Sequence, residues 1–216
     1  MVLERGGFNL ADYNYNEVNK LPEIIRELRD LDKHRVEAGV LLDVGGKGLV
    51  FLQMIATVNE FGTQIKAKNG GSLAIPTKLA KGKRPADFGN KLFVPKGKNV
   101  LAMSNGDGLD VYFILVKSVN IPERSFLRTA IDNHLDKLTD LVAHGIQEIV
   151  AGNMTAMELY KRLGNALKLR IKANIVEKMN PHNAPLTIAN KGKDDPLVDT
   201  GSLLKSISYR VISNEI

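Results

Sequence analysis

Four histidines, no cysteine and a thin scatter of carboxylates are what this 216-residue chain offers for chemistry. A helical zinc site needs two histidines four residues apart with a glutamate between them. His34, His134, His144 and His182 contain no such pair, and His134 and His144, on one expected helix, lie too far apart to share an ion. Without cysteine there is no thiol nucleophile, no thiolate metal site and no disulfide framework. Gly45-Gly46-Lys47-Gly48 has the glycines and lysine of a phosphate loop. It lacks the earlier glycine and the Ser/Thr after the lysine, and no helix is expected after it, so it reads as a hairpin turn. Asn105, Asp107 and Asp110 offer oxygen ligands, but no glutamate closes a calcium loop, and Asp194-Asp195 read as solvated neighbours in a lysine-rich loop. A Gly-x-Ser-x-Gly elbow is absent. The expectation is a chain with no catalytic residue, no cofactor and no metal site, which is to say not an enzyme.

Charge is the stronger signal. Lys66, Lys68, Lys78, Lys81, Lys83, Arg84, Lys91, Lys96 and Lys98 fall within residues 62–98 against the single acid Asp87, while the rest of the chain carries 21 cations and 23 acids. The basicity belongs to one segment. Such a segment faces nucleic acid or an acidic protein surface, or is a solvated loop. For stacking on single strands it holds only Phe88 and Phe93, a weak platform. No apolar run approaches the ~18 residues of a membrane span.

The elements that position these residues can be read from period and punctuation. Residues 109–131 organise the rest. The run 111–116 reads as a buried strand, Ile121-Pro122 stops it, and Phe126, Leu127, Ala130 and Ile131 then recur at helical spacing, with Pro122 in the first turn. Upstream, residues 1–19, with Tyr13 and Tyr15, read as an arm ordered only against something else. Residues 21–36 read as an amphipathic helix, and 40–44 and 51–58 as strands. Residues 99–103 and 109–116 read as strands joined by the Ser104-Asn105-Gly106-Asp107-Gly108 turn. Within a 62–98 insertion, 73–76 and 91–95 are expected to pair as a hairpin reaching out of the domain, so that deleting 66–96 leaves the core folded. One helix is expected from Pro122 to about Val150, and a second from a Thr155–Glu158 capping box to Met179. These two pack as an antiparallel hairpin with close approach at Gly164, Ala166 and Ala173. Asp199 is expected to cap a short helix over 198–204, and 206–212 alternates as a last strand. The fold class is α+β: a small, mostly antiparallel sheet packed against an N-terminal helix and a long C-terminal αα-hairpin, with a protruding basic loop or hairpin. Residues 20–216 are expected to form one domain.

Three stretches taken in order carry a resemblance. Glu60-Phe61-Gly62-Thr63, Ile121-Pro122-Glu123-Arg124-Ser125-Phe126-Leu127-Arg128 and Pro196-Leu197-Val198-Asp199-Thr200-Gly201-Ser202-Leu203-Leu204-Lys205-Ser206-Ile207, with the helical hairpin between the last two, resemble the tail-completion and virion-morphogenesis proteins of tailed bacteriophages. Ser125 stands where that family often has proline, and the basic segment is long for the family. The resemblance implies a structural subunit of the phage neck, joining tail to head around the DNA channel as a ring, with six copies expected. Its partners would be further copies of itself and the neighbouring connector, tail-terminator and tail-tube proteins, with non-specific contact to phage DNA and none to membrane. It would be made in the host cytoplasm and end in the virion. The motif residues carried over are Phe61, Gly62, Pro122, Arg124, Phe126, Leu127, Arg128, Asp199, Thr200, Gly201 and Ser206. Arg124 and Arg128, one turn apart at the positive end of the expected helix, are expected to answer an acidic partner. Phe126 and Leu127 are expected to anchor that helix to the sheet.

The alternatives are a tail terminator or head-closure protein from an adjacent neck position. From another class, the alternative is a sequence-nonspecific nucleic-acid-binding module that uses residues 62–98.

Overall fold

In the computed structural model, which describes residues 20–177 and 180–214, the chain folds as an α+β protein. The expected arm over 1–19, and the end of the second helical stripe at Met179, lie outside these residues. Among the described residues no helix is long and apolar enough to cross a membrane.

Helix α1 (Leu21–Asp30) has Pro22 in its first turn, where a missing N–H costs little. It stops well before residue 36. A turn closed by the Lys33–Asp30 ion pair (2.7 Å) leads instead into strand β1 (His34–Val40), so Val36, which kept helical register, belongs to the sheet and the strand expected at 40–44 lies earlier. β1 pairs antiparallel with the last strand, β7 (Ile207–Ser213), Val40 lying opposite Ile207. The alternation read over 206–212 is therefore a strand in fact. Gly45 and Gly46, at φ of +62° and +73°, make the tight turn expected of them, with Val44 and Lys47 exchanging backbone bonds.

After that turn the chain enters a helix, α2 (Leu49–Phe61), where 51–58 was expected as a strand. The reason is that α2 is apolar on both sides. Leu52, Ala56 and Glu60, four apart, face inward and are buried, while Val50, Phe51, Met54 and Phe61 are exposed. With no polar face the 3.6-residue period is invisible, and an apolar run of this kind does not separate helix from strand. Gly62 ends the helix at φ +66°. A Cβ there would lie 2.7 Å from the Glu123 nitrogen, so this is a position where the backbone demands glycine.

Gly62 opens a β module inserted between α2 and the next helix. Its root is a two-stranded ribbon of β2 (Thr63–Lys66) and β6 (Ser118–Ile121), Thr63 opposite Ile121. Its body is a three-stranded antiparallel sheet with β5 (Leu109–Val116) between β3 (Leu73–Pro76) and β4 (Val100–Ser104). The single sheet expected is thus three small ones. Residues 73–76 and 91–95 do not pair with each other. β3 lies along one side of β5, while Phe93 bridges to Ala102 of β4 on the other. Phe88 packs edge-on against Tyr112 and Phe113 (centroids 5.0 and 5.8 Å), and Phe113 is 1 % exposed. The basic segment is consequently woven into the sheet, not a loop to be removed, and deleting 66–96 would strip β5 of a partner strand and Phe113 of its cover.

The helix expected from Pro122 to Val150 is two. Residues 122–127 are not helical, α3 (Arg128–Asp132) is short, and a break at Asn133-His134 precedes α4 (Leu135–Val150). α5 (Ala156–Val176) begins with the expected capping box: the Thr155 hydroxyl accepts from the Glu158 N–H (3.2 Å) and the Glu158 carboxylate accepts from the Thr155 N–H (2.9 Å). Gly145 of α4 sits on Leu159 of α5 with no room for a Cβ. Gly164 makes its close approach to Tyr209 of β7, not to α4. α6 (Pro185–Lys191) and α7 (Ser202–Ser206) close the chain. The cap position of α7 is Gly201, left-handed at φ +75°, and not Asp199.

Candidate functional site

Two of the three segments that carried the resemblance meet at Glu60, 2 % exposed at the end of α2, and the third joins them through the core around Phe126. The Glu60 carboxylate accepts from the Ser125 hydroxyl (2.6 Å), from the backbone N–H groups of Phe126, Leu127 and Arg128 (2.8, 2.9 and 3.0 Å), and from Arg128 Nε (3.1 Å). The amides just before and at the first residue of α3 are therefore satisfied by a carboxylate from another helix, at the end where the macrodipole favours an acid. Burial pushes the Glu60 pKa up, but the hydrogen bonds from Ser125, Leu127 and Arg128 outweigh it and hold the carboxyl below its ordinary value.

Arg128 answers acids as expected. It pairs with Glu60 and with Glu123 (2.5 Å), its guanidinium lies 5.0 Å from the centroid of the exposed Phe61 ring, and the bonds from Glu60 and Glu123 raise its pKa. Arg124 does not answer an acid. It is buried, outside any helix, and donates through Nε and Nη2 to the carbonyls of Pro181 (2.8 Å) and His182 (3.0 Å), while its own N–H binds the Asn59 carbonyl (2.7 Å). Burial lowers its pKa, an effect that the charge of Asp194 opposes. Asp194 is itself engaged, taking the Asn183 N–H (3.0 Å) and His182 Nδ1 (2.7 Å), so it is not the merely solvated carboxylate expected. Pro122 lies between β6 and the non-helical run, not in a helical first turn.

Phe126, fully buried, anchors α3 into a core shared with Leu52, Ala56, Ile171, Leu197, Leu203 and Ile207, and Leu127 packs at its edge. The third segment enters the same core through Leu197, Leu203 and Ile207. Ser206 is buried, its hydroxyl donating to the Leu203 carbonyl (2.7 Å) and its own carbonyl receiving the N–H groups of Leu41 and Leu42. Asp199 and Thr200 are exposed, with Thr200 Oγ1 2.8 Å from Ser202 Oγ and 3.3 Å from Lys47 Nζ. These residues brace structure through hydrogen bonds and core packing. Among the described residues no three His, Asp or Glu side chains gather as a metal cluster.

α2 also carries an exposed apolar face: Val50, Phe51, Met54 and Phe61 are 80, 46, 52 and 62 % exposed. Next to α2 an open groove of about 530 Å³ runs past Ala38, Ala56, Phe61 and Leu127, and continues past Val36, Ile131 and Leu167.

The β module holds all nine expected cations, every one exposed. Arg84 pairs with Asp87 (3.5 Å), Lys83 lies over the Phe88 ring (5.4 Å) and Lys81 donates to the Asn190 carbonyl (3.2 Å). Lys66, Lys68, Lys78, Lys91, Lys96 and Lys98 form no ion pair among the described residues. Asn190 also donates to the Pro76 carbonyl (2.8 Å), so α6 ties the module to the helical body.

The sequence reading missed the apolar face of α2, because it took that segment for a strand. The signals that mark it are Gly48 before and Gly62 after a 13-residue run, a length more usual for a helix. No family model, no curated protein and no solved structure matches this chain.

Proposed function

We propose that the chain is a structural subunit of a tailed-phage neck, in the tail-completion or head–tail connector position, assembling as a closed ring of six copies in the virion. What supports assembly is the exposed apolar face of α2. Four large exposed apolar side chains on one helix form the kind of patch that marks a protein–protein contact. What supports the neck position is the resemblance, whose first two segments meet at Glu60 and whose third shares the core around Phe126. In a ring the face meets a different surface on the next copy, and rotation closes the set.

A second reading has its own observation. Six lysines on the β module carry no ion pair among the described residues, so the module is free to neutralise phosphates, which is contact with DNA regardless of sequence. In the ring this contact serves the channel; alone it makes the protein a nucleic-acid-binding module. The test is Met54→Lys combined with Val50→Glu. Both positions are exposed, so the melt stays unchanged while light scattering shows the oligomer reduced to monomer. An oligomer that survives the double substitution removes α2 as the interface.

A further inference from the structure

The β module and the helical body are built around separate cores. The module's buried apolar residues, Ala80, Ala102 and Phe113, belong to neither buried cluster of the body, the one around Phe126 or the one around Ile149. No strand or helix of the module packs broadly against one of the body. The chain enters the module at Gly62 and leaves it at Ile121, and Thr63 pairs with Ile121, so the two crossings lie side by side at the root of the β2–β6 ribbon. A ribbon of two strands is the least self-supporting form of sheet. Lobes of one chain that share no large apolar interface move relative to one another.

Beyond this ribbon, every hydrogen bond from the module to the rest of the chain, among the described residues, runs to Asn190 at the end of α6. Its side-chain Nδ2 donates to the Pro76 carbonyl at the end of β3 (2.8 Å), and its own carbonyl accepts from Lys81 Nζ (3.2 Å). The loop that carries Asn190 is pinned to the body at both ends: Arg124 holds the carbonyls of Pro181 and His182, and Leu197 is buried in the core around Phe126. The Pro76 carbonyl can only accept, so Asn190 must turn its amide nitrogen to it, and that leaves Asn190 Oδ1 buried without a partner. An unsatisfied buried acceptor offsets part of what the two hydrogen bonds contribute, so the tie is a weak one.

We propose that residues 63–121 form a hinged lobe, with the β2–β6 ribbon as its hinge and Asn190 as the clasp that fixes one of its positions. The inference rests on neither the ring nor the DNA reading. The module carries all nine cations of the basic segment, so opening the clasp re-aims that charge relative to α2. Hinge motion of this kind needs only a few residues to absorb the change.

The chain has no cysteine, so pairs of spin labels can be placed at will. One pair, Asp107→Cys with Arg170→Cys, spans the module and the body at exposed positions, and a second, Lys137→Cys with Arg170→Cys, lies within the body. Pulsed dipolar electron resonance is read with each labelled chain diluted into excess unlabelled protein, so that only distances within one chain are seen. The spanning pair is expected to show one dominant distance. Asn190→Ala combined with Lys81→Ala removes both hydrogen bonds of the clasp and should raise a second distance on the order of tenfold in population, with the melt and the body pair unchanged. The same single distance with and without the clasp overturns the hinge. A spanning distance already as broad in the intact chain, or a body pair that broadens along with it, overturns Asn190 as the clasp.

Discussion

Replacing Glu60 by alanine removes the acceptor for five donors at once, and its cost can be worked from the geometry. The Phe126 amide is buried and has the carboxylate as its partner, so losing it leaves an unsatisfied donor at about 1–3 kcal/mol. The Leu127 and Arg128 amides are partly buried and recover some of their loss from water, so together they behave as one lost helix cap, about 0.5–2 kcal/mol. The total, about 1.5–5 kcal/mol, overlaps the ~3–5 kcal/mol of breaking a buried ion pair from one side and is a sizeable part of a domain's usual ~5–15 kcal/mol. Glu60→Gln keeps one carbonyl oxygen and should cost about half as much. The pKa of Glu60 is depressed in the folded chain, so its stabilising contribution is complete above the ordinary carboxyl value of 4.5 and is lost as pH falls through the lower folded value. The gap between wild type and Glu60→Gln should therefore be widest near neutrality and shrink as pH falls below 4.5. Urea denaturation of the three proteins at several pH values reads all of this. A Glu60→Ala loss under about 1 kcal/mol, or a gap that widens on acidification, refutes the assignment of Glu60 as the cap of α3.

Three further outcomes rest on the same geometry. Gly62→Ala forces a Cβ to 2.7 Å from the Glu123 nitrogen in a left-handed conformation, so it should destabilise by at least ~1–3 kcal/mol in the same denaturation assay. Phe126→Ala empties a fully buried site and should cost about 3–5 kcal/mol, whereas Phe61→Ala, at an exposed ring, should leave the melt within ~0.5 kcal/mol. Charge reversal at Lys66, Lys68, Lys96 and Lys98, none of them in an ion pair among the described residues, should leave the melt alone and abolish salt-sensitive retention of duplex DNA; retention that survives moves any DNA contact off the module.

The parts legible in sequence were those with local signals. The Thr155–Glu158 box, the glycine-rich turn between β4 and β5 and the alternation of β7 each carry their cause within a few residues. The parts that were not legible depend on distant partners. β3 looks like one arm of a hairpin with residues 91–95 until β5, more than thirty residues after it, pairs with it instead. Arg124 looked like a helix-terminal cation seeking an acid because its true partners are backbone carbonyls 57 and 58 residues away. α2 hid for the opposite reason, since apolar side chains on its exposed as well as its buried side erased its period. The segments of the candidate site could be picked out by their order, but nothing local showed that the Glu60 carboxylate would join the first two or that the third would share a core with Phe126.

The central claim, a ring-forming neck subunit, is tested most directly by native mass spectrometry of the full-length protein over a range of concentration and salt, with duplex DNA added to the same samples. The account predicts a discrete closed oligomer, six copies, with open intermediates scarcely populated. A strict monomer that forms a salt-sensitive complex with the DNA would contradict it and leave the nucleic-acid-binding module in its place.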